Sequence, residues 1–331
     1  EQYVSAEMLE GMSEAACAVL KEQGLNVILY APTATKETFT NAIAYLVRRF
    51  DENTADQNFL RHSFGLEVDT PAWDLLKKSY DDAIALIPSV DQTPYRTQDR
   101  NQKVELKSIN LKHYHFENEP DTDFALPANR KWAEEIREKW QNISNVGGFN
   151  AYPVVGGKII QNEDYIEVID KSQFHEKKIA GSYILATPDD MKVAIATAKA
   201  DPDGWRKLTT TRRQELLMNA AHEMRVARAD LIGVAAAEVG KVLTETDVEV
   251  SEAIDFANFY PYSVAKMSGL TGVEAIGKGV GLVISPWNFP IAIPVGGIAA
   301  SLAAGNTVIL KPATDSILCG YRLCQCFWDA G

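Results

Sequence analysis

The residues of this chain best equipped for chemistry stand in two groups far apart in the sequence. In the first, Tyr45, Arg48, Arg49 and Glu52 are separated by helical spacings, with the two arginines adjacent, so much of the group shares one face of a helix. A guanidinium fork matches a carboxylate bidentately, and a pair of them can hold an acidic small molecule in place. Taken alone, the same residues also read as an ordinary charged surface face. In the second group, Ser285-Pro286-Trp287-Asn288-Phe289-Pro290 lies between two apolar runs, and Asn306 to Lys311 follows as a further apolar run ending in Lys-Pro. Taken alone, Pro-Trp-Asn-Phe-Pro also reads as a rigid turn.

The elements that must position these groups are legible in the pattern. Residues 25–32 form a short apolar run closed by Pro32, which suits a buried strand of a parallel sheet. A helix follows, with Thr35 as its cap, Glu37 in its first turn, and Phe39, Ile43, Leu46, Val47 and Phe50 at helical spacing up to Asp51. An earlier helix runs from Ser13 to Glu22 and ends at Gly24. This order belongs to an α/β barrel or an open sheet. From Asp69 to about Tyr152, polar helices broken at Thr70-Pro71, Thr93-Pro94 and Glu119-Pro120 read as inter-domain connection. Tyr183 to Ala186 then reads as a strand, and Thr187-Pro188-Asp189-Asp190 as a helix start with cap, proline and acids in their preferred places. A helical layer continues to about Lys266. Val280–Ser285 and Thr307–Leu310 are strands joined by a small-residue helix through Ile298, Ala299, Ala300, Leu302 and Ala303, a βαβ unit of a doubly wound sheet. Ligands bind such sheets at the carboxyl ends of the strands, where both Ser285–Asn288 and Lys311 fall.

Composition narrows the function classes. The 331 residues carry 45 acids against 33 bases, for a formal net charge of -12, with no basic stripe to track a phosphate backbone. Nucleic-acid binding by this segment is not expected. No apolar run reaches the roughly 20 residues that span a bilayer, and the acidic, helix-like start from Glu1 to Glu10 lacks the features of a signal peptide, so the chain reads as cytoplasmic. Cys319, Cys324 and Cys326 crowd one helix and read as packing, and the five histidines give no metal-ligand spacing. Gly277, Gly279 and Gly281 precede a strand instead of following it, and read as a turn, not as a dinucleotide fingerprint.

The stretch from about Tyr152 to Gly331 resembles the aldehyde dehydrogenase superfamily. The resemblance is carried by Ser285–Pro290, by Asn306–Lys311, by Glu238-Val239-Gly240-Lys241 and by Ala303-Ala304-Gly305-Asn306. It implies that Asn288 donates to the oxyanion of the thiohemiacetal chemistry. It also implies that Lys311 holds the adenosine ribose of NAD, and that Ile284, Ser285, Pro286 and Trp287 lie along that cofactor. Many members carry a glutamate three positions after the lysine, and Thr314 stands there in this chain, which leaves NAD against NADP open. The family's thiol nucleophile and glutamate base fall beyond Gly331, so the chain reads as a truncated N-terminal part of that domain, inactive alone in aldehyde oxidation.

The first residues resemble the last strand and helix of a proline dehydrogenase barrel, as in the bifunctional PutA family. Ile28-Leu29-Tyr30-Ala31-Pro32 and Ala44 to Asn53 carry this resemblance, and Asn118 to Phe124 with Asn129 to Ala133 resembles that family's connecting segment. It implies that Arg48 and Arg49 bind the substrate carboxylate, that Tyr30, Tyr45 and Leu9 line the pocket, and that Arg49 and Glu52 also lie near FAD. The expected architecture is α/β: residues 1–68 as the C-terminal end of a (β/α)8 barrel, 69–151 as a helical linker, and 152–331 as the front of a doubly wound NAD-binding domain. The implied parent oxidises proline to pyrroline-5-carboxylate and glutamate semialdehyde to glutamate. It forms a homo-oligomer and passes electrons to quinone by contact peripheral to the inner membrane. Two alternatives remain open at this point: a stand-alone aldehyde dehydrogenase with an unrelated extension, and a non-catalytic interaction protein.

Overall fold

A computed structural model describes residues 5–9, 14–31, 33–56, 58–63, 65–90, 93, 95–106, 110–146, 148–161, 163–272 and 276–331. Pro32, Pro94 and the run from Glu10 to Ser13 lie outside the described residues. The chain divides into two compact units, Glu1–Thr93 and Pro94–Gly331.

In the first unit, β1 (Ser5–Leu9), α1 (Glu14–Glu22), β2 (Asn26–Tyr30) and α2 (Phe39–Asn53) are followed by the short α3 (Phe59–Ser63) and α4 (Pro71–Leu86). The strands are parallel, with Ser5 opposite Asn26 and Leu9 opposite Tyr30, so α1 is the crossover of a βαβ unit. The helix-like reading of the start is therefore corrected: residues 5–9 form a strand, because pairing with β2 overrides a weak local preference. Gly24 ends α1 as expected. Its φ of 81° lets the Leu25 N–H reach Leu20 O at 3.1 Å and the Gly24 N–H reach Lys21 O at 3.0 Å, closing the helix with a Schellman motif.

Two expectations fail in this unit. β2 is not buried, since Ile28 and Leu29 are half exposed, and among the described residues the strand pairs on one edge only. Nor does α2 start at Thr35: that backbone N–H donates to Thr38 Oγ1 at 2.9 Å in a tight turn, and the helix begins at Phe39. The apolar residues Phe39, Ile43, Leu46, Val47 and Phe50 of α2 are all exposed, and Cys17 is this unit's sole buried residue among the described residues. Thr70 caps α4 by accepting from the Trp73 N–H, with Pro71 in the first turn.

The second unit holds α5 (Pro127–Asn145), β3 (Phe149–Ala151), the tiny hairpin β4 (Val154–Val155) and β5 (Lys158–Ile159), then β6 (Ile166–Ile169) and β7 (Ile179–Tyr183). A helical layer follows as α6 (Pro188–Ala200), α7 (Thr210–Val226), α8 (Arg228–Val239) and α9 (Leu243–Ser268). The unit closes with β8 (Val280–Ile284), α10 (Ala292–Ala303), β9 (Thr307–Lys311) and α11 (Ile317–Asp329). β7 lies between β3, to which it is parallel, and β6, to which it is antiparallel. β8 and β9 are parallel, with Val280 opposite Thr307 and Ile284 opposite Lys311, confirming the βαβ unit.

Local chemistry explains these elements. Thr187 and Asp190 form the capping box that starts α6, Thr187 Oγ1 accepting from the Asp190 N–H at 3.2 Å and Asp190 Oδ2 from the Thr187 N–H at 2.8 Å. The strand expected at Tyr183–Ala186 lies earlier, at Ile179–Tyr183, because Gly181 and Ser182 let β7 sit close to its neighbours. A Cβ at Gly181 would collide with Phe149 O and approach Leu318 Cδ1. Gly281 lies inside β8, not in the turn before it; a Cβ there would meet Ser301 Oγ at 2.9 Å, so the glycine admits α10 against the strand.

The stretch read as a linker divides between the two units. Residues from 94 onward fold into the second unit, where Trp132, Ile136 and Trp140 of α5 join its hydrophobic core with Met224, Leu231, Ile254, Val295, Leu318 and Leu323. Residues 118–123 are held by buried charges. Asp247 accepts from the Thr122 N–H at 2.6 Å, from Thr122 Oγ1 at 2.5 Å and from Arg228 Nη1 at 2.8 Å, while Glu119 accepts from Arg225 at 2.7 Å and Arg228 at 3.2 Å. Asp255 accepts from the Glu119 N–H at 2.7 Å. Asp247 thus satisfies a backbone donor and a cation at once, and Glu119 is matched by two guanidinium groups, the conditions under which charges survive burial.

Candidate active sites

One candidate site belongs to the first unit. The parallel strands set Leu9 and Tyr30 side by side at their carboxyl ends. α2 returns so that Tyr45 Oη stands 3.1 Å from Tyr30 Oη. That hydrogen bond, with partial burial, holds the Tyr30 phenol above its ordinary pKa. Tyr30, Thr33, Thr38, Asn41 and Tyr45 line an open pocket of about 530 Å³ between the strand end and the helix.

The arginines follow one turn along α2. Their guanidinium carbons lie 6.0 Å (Arg48) and 5.4 Å (Arg49) from the Tyr45 ring centroid. Arg49 is paired with Glu52, yet its Nε is buried with no hydrogen-bond partner among the described residues. Arg48 makes no ion pair or hydrogen bond among the described residues. The structure therefore brings Leu9, Tyr30, Tyr45, Arg48, Arg49 and Glu52 to one end of the strand pair, and leaves guanidinium donors unspent for an anion.

The other candidate site belongs to the second unit. The Ser285 N–H reaches Lys311 O at 3.4 Å just past the β8–β9 ladder, which places Ile284, Ser285 and Lys311 together at its carboxyl end. Ser285 Oγ is buried without a partner, and the Lys311 ammonium is exposed with no ion pair among the described residues. The loop then turns outward: Pro286 is half-buried, whereas Trp287 and Asn288 are exposed before Pro290 dips into the core. The Asn288 side-chain amide makes no hydrogen bond among the described residues and is free to donate.

Two buried acids set this site's backbone, and the sequence patterns gave neither of them a role. Glu249 of α9 accepts through Oε1 from the N–H groups of Ile291 at 2.6 Å and Ala292 at 3.0 Å, closing the N-terminus of α10. Glu238 of α8 accepts from Leu318 N–H at 2.8 Å and Cys319 N–H at 2.7 Å, closing the N-terminus of α11 just after the Lys311 turn. Burial raises the Glu238 carboxyl from 4.5 to about 7 against the opposing pull of those amides. The available signal was an acid set among the apolar positions of a buried helix, as at Glu249 beside Thr246, Val250 and Ala253.

The cysteines agree with a packing role. Burial pushes Cys324 up to about 12 and Cys326 to about 11, and raises Cys319 as well. Among the described residues no group of histidines, cysteines and acids could hold a metal ion, and no helix is long and apolar enough to cross a membrane.

Comparison with known proteins separates the same two regions. Residues 159–331 match the model of the aldehyde dehydrogenase family, and residues 1–62 match that of proline dehydrogenase. A 1-pyrroline-5-carboxylate dehydrogenase of Anoxybacillus flavithermus is 34% identical over 227 residues, covering 65% of this chain and 43% of that protein. The chain thus spans under half the length of the curated relatives it matches. Among solved structures, proline utilization A (PutA) from Bdellovibrio bacteriovorus inactivated by N-propargylglycine is similar over 98% of this chain and 32% of its own, with 28% identity and a TM-score of 0.71. A 1-pyrroline-5-carboxylate dehydrogenase from Thermus with bound NAD is 29% identical, covers 66% of this chain and 43% of its own, and gives a TM-score of 0.59.

Proposed function

Because the chain belongs to the aldehyde dehydrogenase family, we propose that its protein is a bifunctional proline-catabolic oxidoreductase, which oxidises proline to pyrroline-5-carboxylate and then glutamate semialdehyde to glutamate. The observation that carries this reading is the pairing, in one chain, of two polar sets at the carboxyl ends of two separate parallel strand pairs: Tyr30–Tyr45–Arg48–Arg49, and Ser285–Asn288–Lys311. A stand-alone aldehyde dehydrogenase with an arbitrary extension has no use for the first set.

In this reading Arg48 and Arg49 hold the proline carboxylate, through the unpaired Arg48 guanidinium and the terminal nitrogen of Arg49 that Glu52 does not take. Leu9, Tyr30 and Tyr45 bound the ring, and Glu52 fixes Arg49. In the other site Asn288 directs its free amide to the oxygen that becomes anionic when the aldehyde is attacked. Lys311 would hold the ribose of NAD, and Ile284, Ser285, Pro286 and Trp287 would line that cofactor. The fit to FAD and NAD rests on polar atoms without internal partners, Arg49 Nε and Ser285 Oγ, at strand ends where such groups bind. FAD and NAD supply the hydride acceptors of the two oxidations. The modules in this reading are residues 1–68 and 152–331, joined by 69–151. Electrons from proline go on to a membrane quinone through peripheral contact, and the protein is a homo-oligomer, as the PutA resemblance implies.

The test uses the full-length protein. Arg49→Met should cripple proline oxidation and spare semialdehyde oxidation, and Asn288→Ala should do the reverse. Equal loss of both activities in either variant would sink the two-site assignment.

A further inference from the structure

Lys241 lies within the helical layer, in the turn between α8 and α9, and its ammonium is directed at the loop that carries Asn288. Lys241 Nζ donates to Glu249 at 2.6 Å and to the backbone oxygen of Asn288 at 3.2 Å, and it sits 4.1 Å from the centroid of the Phe289 ring. Its side chain is 10% exposed and that of Glu249 fully buried, so neither contact is a mobile surface pairing. The other Glu249 oxygen already accepts from Ile291 and Ala292. One carboxylate and one ammonium thereby tie together the backbone at 288, the ring at 289 and the amides at 291 and 292.

We propose that Lys241 and Glu249 are positioning residues that fix where the Asn288 amide points. The inference rests on the oxyanion reading of Asn288 given above. The physical need is specific. Asn288 and Phe289 are exposed, and the Asn288 side chain has no internal partner among the described residues, so its own contacts do not orient it. The rest of the loop is anchored at Pro290 and the start of α10, but among the described residues the peptide that carries the amide is hydrogen-bonded from outside only through its carbonyl oxygen, by Lys241. A preorganised donor stabilises a transition state because it need not reorient when charge develops. Releasing the Asn288 carbonyl restores that reorientation. Glu249 is needed in turn because its charge holds the Lys241 ammonium in an almost closed site, where an unpaired cation would otherwise be disfavoured.

The experiment is a double-mutant cycle on Lys241→Met and Asn288→Ala in the full-length protein, with kcat for semialdehyde oxidation, the Kd for NAD and the melting temperature measured for each. Lys241→Met should lower kcat on the order of ten- to a hundredfold, as small misplacements of catalytic groups do, with NAD affinity within about twofold. In the Asn288→Ala background the same substitution should have almost no further effect. Backbone amide exchange in the 286–292 stretch should speed up in Lys241→Met, while that at 317–319, held by Glu238, should not. If Lys241→Met does not fold, Lys241→Gln, which keeps a donor and loses the charge, carries the same cycle. An equal loss in both backgrounds would overturn the proposal, because Lys241 would then act elsewhere. An unchanged kcat in Lys241→Met beside a depressed one in Asn288→Ala would overturn the positioning role and leave the oxyanion role standing. An unchanged kcat in Asn288→Ala would overturn both.

Discussion

Replacing Glu238 by glutamine should change how the stability of the second unit depends on pH. In the folded chain this carboxyl is raised from 4.5 to about 7 by burial. An acid raised on folding stabilises the fold fully below its unfolded pKa, and that stability is lost as pH rises through the folded value. The window therefore runs from about pH 4.5 to about pH 7, in the direction opposite to that of a salt-bridged acid. The size follows from ~1.4 kcal/mol per pH unit, giving about 3 kcal/mol across the window. Glutamine has no proton to lose, and it keeps one acceptor oxygen for two N–H donors, those of Leu318 and Cys319. The variant should be less stable at pH 4.5 by roughly 1–2 kcal/mol, the cost of leaving one buried donor unpaired. At pH 8 the wild type should have lost that advantage and about 1–2 kcal/mol more, so that the order reverses. Urea unfolding followed by tryptophan fluorescence, at intervals from pH 4.5 to 8, measures the difference. Other titrating groups are common to both proteins and cancel in it. Two parallel stability profiles would refute the reasoning, because they would mean that the Leu318 and Cys319 amides hold the carboxylate ionised throughout.

Further outcomes are expected. Lys311→Ala in the full-length protein should raise the KM for NAD with kcat nearly unchanged, since a ribose contact is made equally in ground and transition states; a loss confined to kcat would contradict this. Gly233→Ala should destabilise the second unit by about 1–3 kcal/mol in thermal unfolding, because the new Cβ would fall inside the Trp140 indole. Thr187→Ala removes one half of the α6 capping box and should cost about 1 kcal/mol by the same measurement. At pH 8, Cys319, Cys324 and Cys326 should resist alkylation in the native chain and react on unfolding, since burial keeps their thiols protonated; rapid native labelling would show that the helix opens.

What was legible in the sequence was set by local chemistry. The Thr187 box, the Gly24 terminus and the β8–α10–β9 unit each depend on a few adjacent residues with strong preferences, and each stands where it was expected. Tyr30 meets Tyr45 because a strand end and the next helix place them, and Ser285 meets Lys311 because two neighbouring parallel strands end together, in both cases without reference to distant residues. The misreadings share another cause. Residues 5–9 carry a helix-like composition, but pairing with β2 decides their conformation. The apolar run Tyr183–Ala186 reads as the strand, whereas the place of β7 follows from its small residues, Gly181 and Ser182. The buried acids Glu238, Asp247 and Glu249 have no role in the sequence patterns because the backbone amides they hold lie 42 to 125 residues away. Nothing in the residues flanking an acid tells whether its far partner is water or a helix end.

The Thr122–Asp247 clamp also fixes an order in time. Its partners are 125 residues apart, and closing such a span costs about 4 kcal/mol of chain entropy before any hydrogen bond forms. During synthesis at ~5–20 residues per second, Thr122 waits roughly 6 to 25 seconds for Asp247 to be made. α5 leaves the ribosome in that interval, with Trp132, Ile136 and Trp140 uncovered until α8 arrives to bury them. The indole that later fills the space beside Gly233 is thus, for those seconds, an exposed surface on a growing chain, and a chaperone that binds aromatic helices would find it there first.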